Sequence, residues 1–164
     1  MAAKNLKDMF VDLLQDAYSA ETQLTKALPK MARAADNAQL KAGFEQHLRE
    51  TEQQVRRLEQ VARACDCELD GNTCEAMEGL IEEGEEIIAM SAEPDARDAG
   101  LIASAQKVEH YEIATYGTLC AWADQLGMTD AKNILGQTLN EEKATDEKLT
   151  RLAESIVNVH AAAK

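Results

Sequence analysis

Apolar residues recur at spacings of three and four along almost the whole chain, which is the period of an α-helix. The first such stripe runs through Leu6, Phe10, Leu13, Ala17, Leu24, Leu28 and Met31. Only 8 glycines and 2 prolines occur in 164 residues, and no segment shows the alternation of period two that is typical of a strand. The sequence therefore predicts an all-α fold.

Breaks in this pattern divide the chain into five predicted helices, of which four are long. At 1.5 Å per residue, helices of about 27–33 residues span roughly 40–50 Å. Tight turns join the first two helices and the last two, and the short third helix lies in the long connection between the pairs. Two antiparallel hairpins with such a crossover are a known form of the four-helix bundle. The predicted helices cover approximately residues 5–35, 36–65, 72–90, 94–127 and 129–156.

Three of the predicted helix starts carry residues that commonly cap helices. Asp36 and Gln39 have the spacing of a capping box before the second helix, and Asn72 and Glu75 have the same spacing before the third. Thr129 is the expected cap of the fifth helix.

The charge balance excludes several classes of partner. The chain has 17 Lys and Arg against 30 Asp and Glu, a formal net charge of −13. Nucleic acids and anionic membranes attract basic surfaces, so neither is an expected partner. The four cysteines do not fit a disulfide framework in a chain of this length, and neither a signal peptide nor a membrane span is recognisable. We expect a cytoplasmic protein with a single domain, residues 1–164.

Acidic residues and one histidine interrupt the apolar stripes near the middle of the four long helices. Residues at mid-helix reach the same height in a bundle whichever way the helix runs, so these side chains are expected to converge in one central layer. The candidate metal ligands in this layer are Glu21, His47, Glu50, Glu109, Glu112, Glu142 and Asp146.

A buried layer of carboxylates requires compensating positive charge. Each uncompensated buried carboxylate costs several kcal/mol or becomes protonated, and no Lys or Arg occupies these inward positions. Two metal ions would supply the missing charge, and oxygen ligands with one imidazole suit iron or manganese. Zinc remains an alternative, and so does a set of acidic side chains that lie on solvated faces.

Four segments resemble the YciE/YciF family of bacterial ferritin-like proteins, and the similarity covers almost the whole chain. The segments are Tyr18-Ser19-Ala20-Glu21-Thr22-Gln23, His47-Leu48-Arg49-Glu50-Thr51, Glu109-His110-Tyr111-Glu112-Ile113-Ala114 and Glu141-Glu142-Lys143-Ala144-Thr145-Asp146-Glu147-Lys148-Leu149. The resemblance implies a ferritin-like four-helix bundle with a crossover helix, a homodimer, a di-metal site and a connection with stress responses.

The resemblance also implies roles for individual residues. Glu21 and Glu50 correspond to ligands from the first and second helices, and Glu142 corresponds to the carboxylate of the fifth. Glu109 and Glu112 are the contributions of the fourth helix, with Glu112 a candidate bridge between two metals.

The chain departs from the wider ferritin-like pattern, in which a histidine follows the glutamate of the second and fifth helices by three residues. Gln53 and Thr145 stand at those positions. His47 instead precedes Glu50 by three residues, and Asp146 follows Glu142 by four. Both spacings keep a pair on one helix face.

Two classes of function follow from these residues. The first is a di-iron or di-manganese protein that acts on oxygen, peroxide or iron under stress. The second is a dimeric helical module for structure or interaction, with a degenerate or non-redox metal site. A storage shell is a third and less favoured interpretation. Tyr18, Tyr111 and Tyr116 are interpreted as residues at the edge of the core, with a hydrogen bond to a metal ligand or electron donation as the alternative. His110 is not included in the site.

Overall fold

A computed structural model describes residues 4–163 of the chain. Helices account for most of this range, and no strand occurs within it, which confirms the predicted all-α class. The helices are α1 (Leu6–Ala34), α2 (Ala38–Cys65), α3 (Glu75–Ala89), α4 (Pro94–Gln125), α5 (Thr129–Leu152) and α6 (Asn158–Ala162), and a π-helical turn, Ala153–Val157, joins the last two.

The four long helices form a bundle of two hairpins. Helix α1 packs mainly against α2, and α4 packs mainly against α5. The hairpins meet through α1 against α4 and α2 against α5, while α3 lies across α1 and α4. The ferritin-like four-helix bundle with a long crossover is therefore confirmed. No helix in the described part of the chain has the length and hydropathy needed to cross a membrane.

Two of the predicted helix caps are wrong by one or two residues. Asn37, not Asp36, caps α2, and its Oδ1 accepts hydrogen bonds from the backbone N–H groups of Gln39 (2.9 Å) and Leu40 (3.1 Å). Cys74, not Asn72, precedes α3, and its Sγ accepts from a backbone N–H of the first turn. A cap must directly precede the first helical residue to reach the free N–H groups, and both predicted caps lie too far upstream.

The fifth helix also begins and ends differently from the prediction. Thr129 is its first helical residue rather than its cap, and Met128 precedes it without a side-chain hydrogen bond to the helix. At the other end, the π-helical turn and α6 continue the helical path to Ala162.

A buried aspartate links the first hairpin to the second through hydrogen bonds. Asp98 on α4 accepts hydrogen bonds from the backbone N–H groups of Asp36 (3.0 Å) and Asn37 (2.6 Å) in the turn between α1 and α2. These donors have no partner within α2, so the contact fixes the position of α1 and α2 relative to α4.

The apolar core is divided into two clusters. One contains Leu24, Phe44 and Leu149, and the other contains Leu58 and Leu135, among other residues. On α2, α4 and α5 a buried polar segment separates the residues of one cluster from those of the other, and on α1 Glu21 lies next to the boundary between them. The buried polar residues between the clusters include Glu21, His47, Thr51, Gln54, Glu109, Glu112, Thr138, Glu142 and Thr145. A polar layer therefore crosses the middle of the bundle.

Candidate metal centre

Four side chains from three helices converge in this polar layer. They are His47 from α2, Glu109 and Glu112 from α4, and Glu142 from α5. One potential ligand atom from each lies within 4.8 Å of the corresponding atoms of the other three, and none of these residues exposes more than 3% of its surface. Glu109 and Glu112 lie on one face of α4 because they are three residues apart.

The imidazole of His47 lies between two of these carboxylates. Its Nδ1 is 3.2 Å from Oε1 of Glu109, and its Nε2 is 3.4 Å from Oε2 of Glu142. His47 Nε2, Glu109 Oε1 and Glu142 Oε2 are nevertheless buried without a hydrogen-bond partner. The three groups are therefore close together without satisfying one another.

Glu21 extends the cluster toward α1. Its carboxyl group is buried and contacts that of Glu112, and the hydroxyl of Tyr116 on α4 donates a hydrogen bond to its Oε1. For Tyr116 the structure favours the alternative interpretation over a place at the edge of the core, because the ring is buried and its hydroxyl donates to Glu21, a predicted ligand. Glu112 thus contacts Glu21 on one side and belongs to the four-residue cluster on the other.

Burial and mutual repulsion dominate the electrostatics of the cluster. Removal from solvent raises the pKa of Glu109 well above its usual range, and the carboxylates of Glu142 and Glu21 raise it further. Burial raises the pKa values of Glu21 and Glu112 in the same way, and neighbouring carboxylates add to the effect. Within residues 4–163, no Lys or Arg forms an ion pair with Glu21, Glu109, Glu112 or Glu142.

The unpaired atoms of the cluster match the requirements of a bound cation. Buried polar atoms almost always have partners, yet both oxygens of Glu109 and of Glu112, and one oxygen each of Glu21 and Glu142, have none. Carboxylate oxygens with one imidazole nitrogen are a suitable donor set for iron or manganese. The residues therefore fit a bound metal ion.

Two other predicted ligands lie outside the four-residue cluster. Glu50 is half-buried and accepts a hydrogen bond from Nε2 of Gln46 (2.9 Å). Asp146 accepts a hydrogen bond from Gln106 (3.1 Å) and lies 3.3 Å from Nε2 of His110, which is largely exposed.

A groove runs along the seam between α2 and α5 next to the cluster. It has a volume of about 360 Å³, and both Glu50 and His47 line it. Its walls include the apolar side chains of Leu40, Phe44 and Leu149.

Sequence reasoning missed Gln54, which contacts the cluster from α2. Its Nε2 donates hydrogen bonds to Oε1 of Glu142 and to Oε2 of Glu141 (3.1 Å). Gln54 is completely buried, and it lies seven residues after His47, which places both on one helix face. That spacing was the available signal, but a glutamine carries no charge and did not stand out among the acidic residues.

Glu141, the neighbour of Glu142, faces away from the cluster. The guanidinium of Arg57 donates two hydrogen bonds to its carboxylate, at 2.6 and 2.7 Å. Partial burial by itself raises the pKa of Glu141, but the hydrogen bonds from Arg57 and Gln54 outweigh it and lower the pKa below its usual value.

Comparison with known proteins agrees with this architecture. Residues 5–162 match the family described as a domain of unknown function, DUF892. The chain is 52% identical to protein YciF of Escherichia coli (strain K12) over 159 residues, which are 96% of each chain.

Solved structures extend the similarity to three dimensions. The crystal structure of the E. coli stress protein YciF has a TM-score of 0.92 and covers 95% of this chain and 99% of its own. The protein YcfI of Rhodopseudomonas palustris, 45% identical, has a TM-score of 0.88 over 91% of this chain and 95% of its own. A Xanthomonas campestris protein that is 23% identical shares the fold, with a TM-score of 0.75 over 95% of this chain and 96% of its own. The chain is therefore a member of the DUF892 family and a homologue of YciF.

Proposed function

We propose that the protein holds two metal ions, iron or manganese, in the polar layer of its bundle and acts in the response to oxidative or related stress. The observation that carries this proposal is the set of buried carboxylates without a cationic partner. The homologue YciF is a stress protein of E. coli, which supports the physiological part.

Five residues would hold the metals. His47, Glu109, Glu112 and Glu142 would form the main ligand set, and Glu21 would contribute from the opposite side of Glu112. Glu50 and Asp146 remain predictions from the sequence. When bound, such a metal pair supplies redox chemistry toward dioxygen or peroxide.

The surrounding residues prepare the site for this role. Tyr116 holds one oxygen of Glu21 by hydrogen bonding and leaves the other without a partner. The two apolar clusters above and below the layer exclude water, which strengthens electrostatic attraction between the carboxylates and a cation. Since protons and metals compete for the same oxygens, metal binding would release protons from the glutamates with raised pKa values.

Metal analysis of protein purified without chelators tests the proposal. We expect iron or manganese in the wild-type protein, reduced occupancy in Glu21→Ala and Glu112→Ala, and unchanged occupancy in Glu52→Ala, whose side chain is exposed on α2. Full occupancy in both ligand variants would show that these roles are wrong. Glu50→Gln and Asp146→Asn in the same series test the two remaining predicted ligands.

A second candidate is a helical module in which protons, not metals, neutralise the layer. The raised pKa values of Glu21, Glu109 and Glu112 favour it, because protonated glutamates can share hydrogen bonds. Failure of the wild-type protein to bind Fe²⁺ or Mn²⁺ in titrations would select this candidate. If metal binds, assays of peroxide consumption and ferrous oxidation then test whether the site reacts.

The assembly and location form part of the same proposal. We propose a cytoplasmic homodimer, as the family resemblance implies. Sedimentation equilibrium of the purified protein tests the dimer, and a single species with the mass of one chain, 18.0 kDa, would contradict it.

A further inference from the structure

Helix α5 presents two consecutive glutamates, but only the second enters the candidate metal centre. Glu142 is completely buried, whereas Glu141 is about one-third exposed and pairs with Arg57. A single side chain on the facing helix contacts both, because Nε2 of Gln54 donates to each carboxylate. Gln54 therefore links the two glutamates.

The orientation of the Gln54 amide follows from the groups around it. The NH₂ group of Gln54 faces Glu141 and Glu142, whose carboxylate oxygens accept its hydrogen bonds. Arg57 fixes Glu141 through two parallel hydrogen bonds, an arrangement with defined geometry. Glu141 in turn is a fixed acceptor that holds the amide toward Glu142.

This contact makes the two oxygens of Glu142 different from each other. Oε1 accepts the hydrogen bond from Gln54. Oε2 is buried without a partner and lies 3.4 Å from Nε2 of His47. Gln54 thus occupies one oxygen and leaves the other directed toward the imidazole.

A role limited to fold stability does not explain Gln54. Its own Oε1 is buried and has no hydrogen-bond partner, which costs free energy that an apolar side chain of similar size would not incur. Leu58, one turn further along α2, shows that an apolar residue is accommodated on this face.

From these contacts we infer that Gln54 is a positioning residue that holds Glu142 so that Oε2 is the atom offered to the metal. The Glu141–Arg57 pair anchors Gln54 from the surface. This inference rests on the proposed metal-binding function, and it assigns Glu142 a single ligating oxygen. Groups that orient metal ligands in this way commonly contribute 10- to 100-fold to metal affinity.

The variant Gln54→Met tests the inference, since it retains the side-chain length and removes the donor. Gln53→Met is the matched control, because Gln53 is exposed on the same helix. Binding of Mn²⁺ is measured by loss of the free-ion electron paramagnetic resonance signal, and the visible absorption of bound Co²⁺ reports ligand geometry. We expect about 10- to 100-fold weaker Mn²⁺ binding and a changed Co²⁺ spectrum for Gln54→Met, with neither change for Gln53→Met.

The possible outcomes separate the two proposals. If wild-type protein binds Mn²⁺ or Fe²⁺, and Gln54→Met has the wild-type affinity and Co²⁺ spectrum, the positioning role is refuted and the metal site stands. If wild-type protein binds no metal, the proposed function fails and the role of Gln54 fails with it. Should circular dichroism show that Gln54→Met is unfolded, Arg57→Met replaces it. That variant frees Glu141 and must weaken Mn²⁺ binding in the same direction, and wild-type affinity there would also refute the role.

Discussion

Replacement of Glu112 by glutamine should change the stability of the metal-free and metal-loaded protein in opposite directions. Glu112 is buried among Glu21, Glu109 and Glu142, and neither of its oxygens has a hydrogen-bond partner. Burial and these neighbouring carboxylates raise its pKa well above the usual value. Glutamine has nearly the same shape, carries no charge and can donate hydrogen bonds to the remaining carboxylates.

The sign of the effect in metal-free protein follows from proton linkage. A carboxyl group whose pKa is higher in the folded state contributes stability below its unfolded pKa of about 4.5, and this contribution is lost as the pH rises through the folded pKa. Glutamine does not ionise, so Glu112→Gln removes this loss of stability at high pH. Because burial and neighbouring carboxylates raise the folded-state pKa of Glu112, we expect the metal-free variant to be more stable than wild type at pH 8. For a domain of this size, each kcal/mol of added stability raises the Tm by roughly 2–4 °C.

In the metal-loaded protein, the same substitution should lower the stability relative to wild type. A ligand at 100 times its Kd stabilises a folded protein by about 2.7 kcal/mol, and the variant should lose most of this increment because one of the proposed metal ligands is missing. Thermal melts followed by circular dichroism, with chelator or with Mn²⁺, at pH 5 and pH 8, provide the four required values. The exposed Glu52→Gln should behave as wild type in all four.

Two results would refute this reasoning. If Glu112→Gln lowers the Tm of metal-free protein equally at pH 5 and pH 8, the carboxylate does not experience the repulsion inferred from the structure. If Mn²⁺ raises the Tm of the variant as much as that of wild type, Glu112 is not a ligand.

Three further substitutions test individual contacts. Tyr116→Phe removes the hydroxyl that donates a hydrogen bond to Glu21. Because hydrogen bonds to charged groups contribute about 1.5–3 kcal/mol, urea denaturation at pH 8 should show a free energy of unfolding that is lower by an amount in this range. An unchanged urea midpoint would contradict the contact. Asp98→Ala leaves two backbone N–H groups of the α1–α2 turn without their acceptor, and we expect the free energy of unfolding to fall by roughly 2–4 kcal/mol. Amide hydrogen exchange should become faster in that turn before it does so in the rest of the bundle. Leu58→Ala should lower the free energy of unfolding by about 2–5 kcal/mol because it leaves a cavity in the core. The Mn²⁺ affinity should stay within about twofold of wild type, because Leu58 lies about three turns of α2 beyond His47.

The helical architecture was predictable because its signal is local. Spacings of three and four between apolar residues report one buried face per helix, and Pro94 and Gly127 mark a helix start and a helix end in a way that depends on backbone conformation alone. The caps were less predictable. Asp36 and Asn37 are both suitable N-cap residues, and only the course of the backbone, with Asp36 paired to Arg97, decides between them.

The candidate site was predictable in part. The interruption of apolar stripes by Glu21, Glu109, Glu112 and Glu142 requires only the helical period, and the structure brings these side chains together with His47 in one buried layer. Glu50 and Asp146 lie outside the four-residue cluster although the same reasoning selected them, because a small error in the position of a stripe turns a side chain by about 100° per residue.

The sequence by itself determined a bundle of long helices with charge at its centre, because periodicity and charge are properties of each helix alone. Only the tertiary structure decided which atoms meet across helices. It paired Glu141 with Arg57, set Gln54 against both Glu141 and Glu142, and placed the hydroxyl of Tyr116 on Glu21. The physical reason is that such contacts depend on the rotation and separation of neighbouring helices, which are set by the packing of all their side chains together.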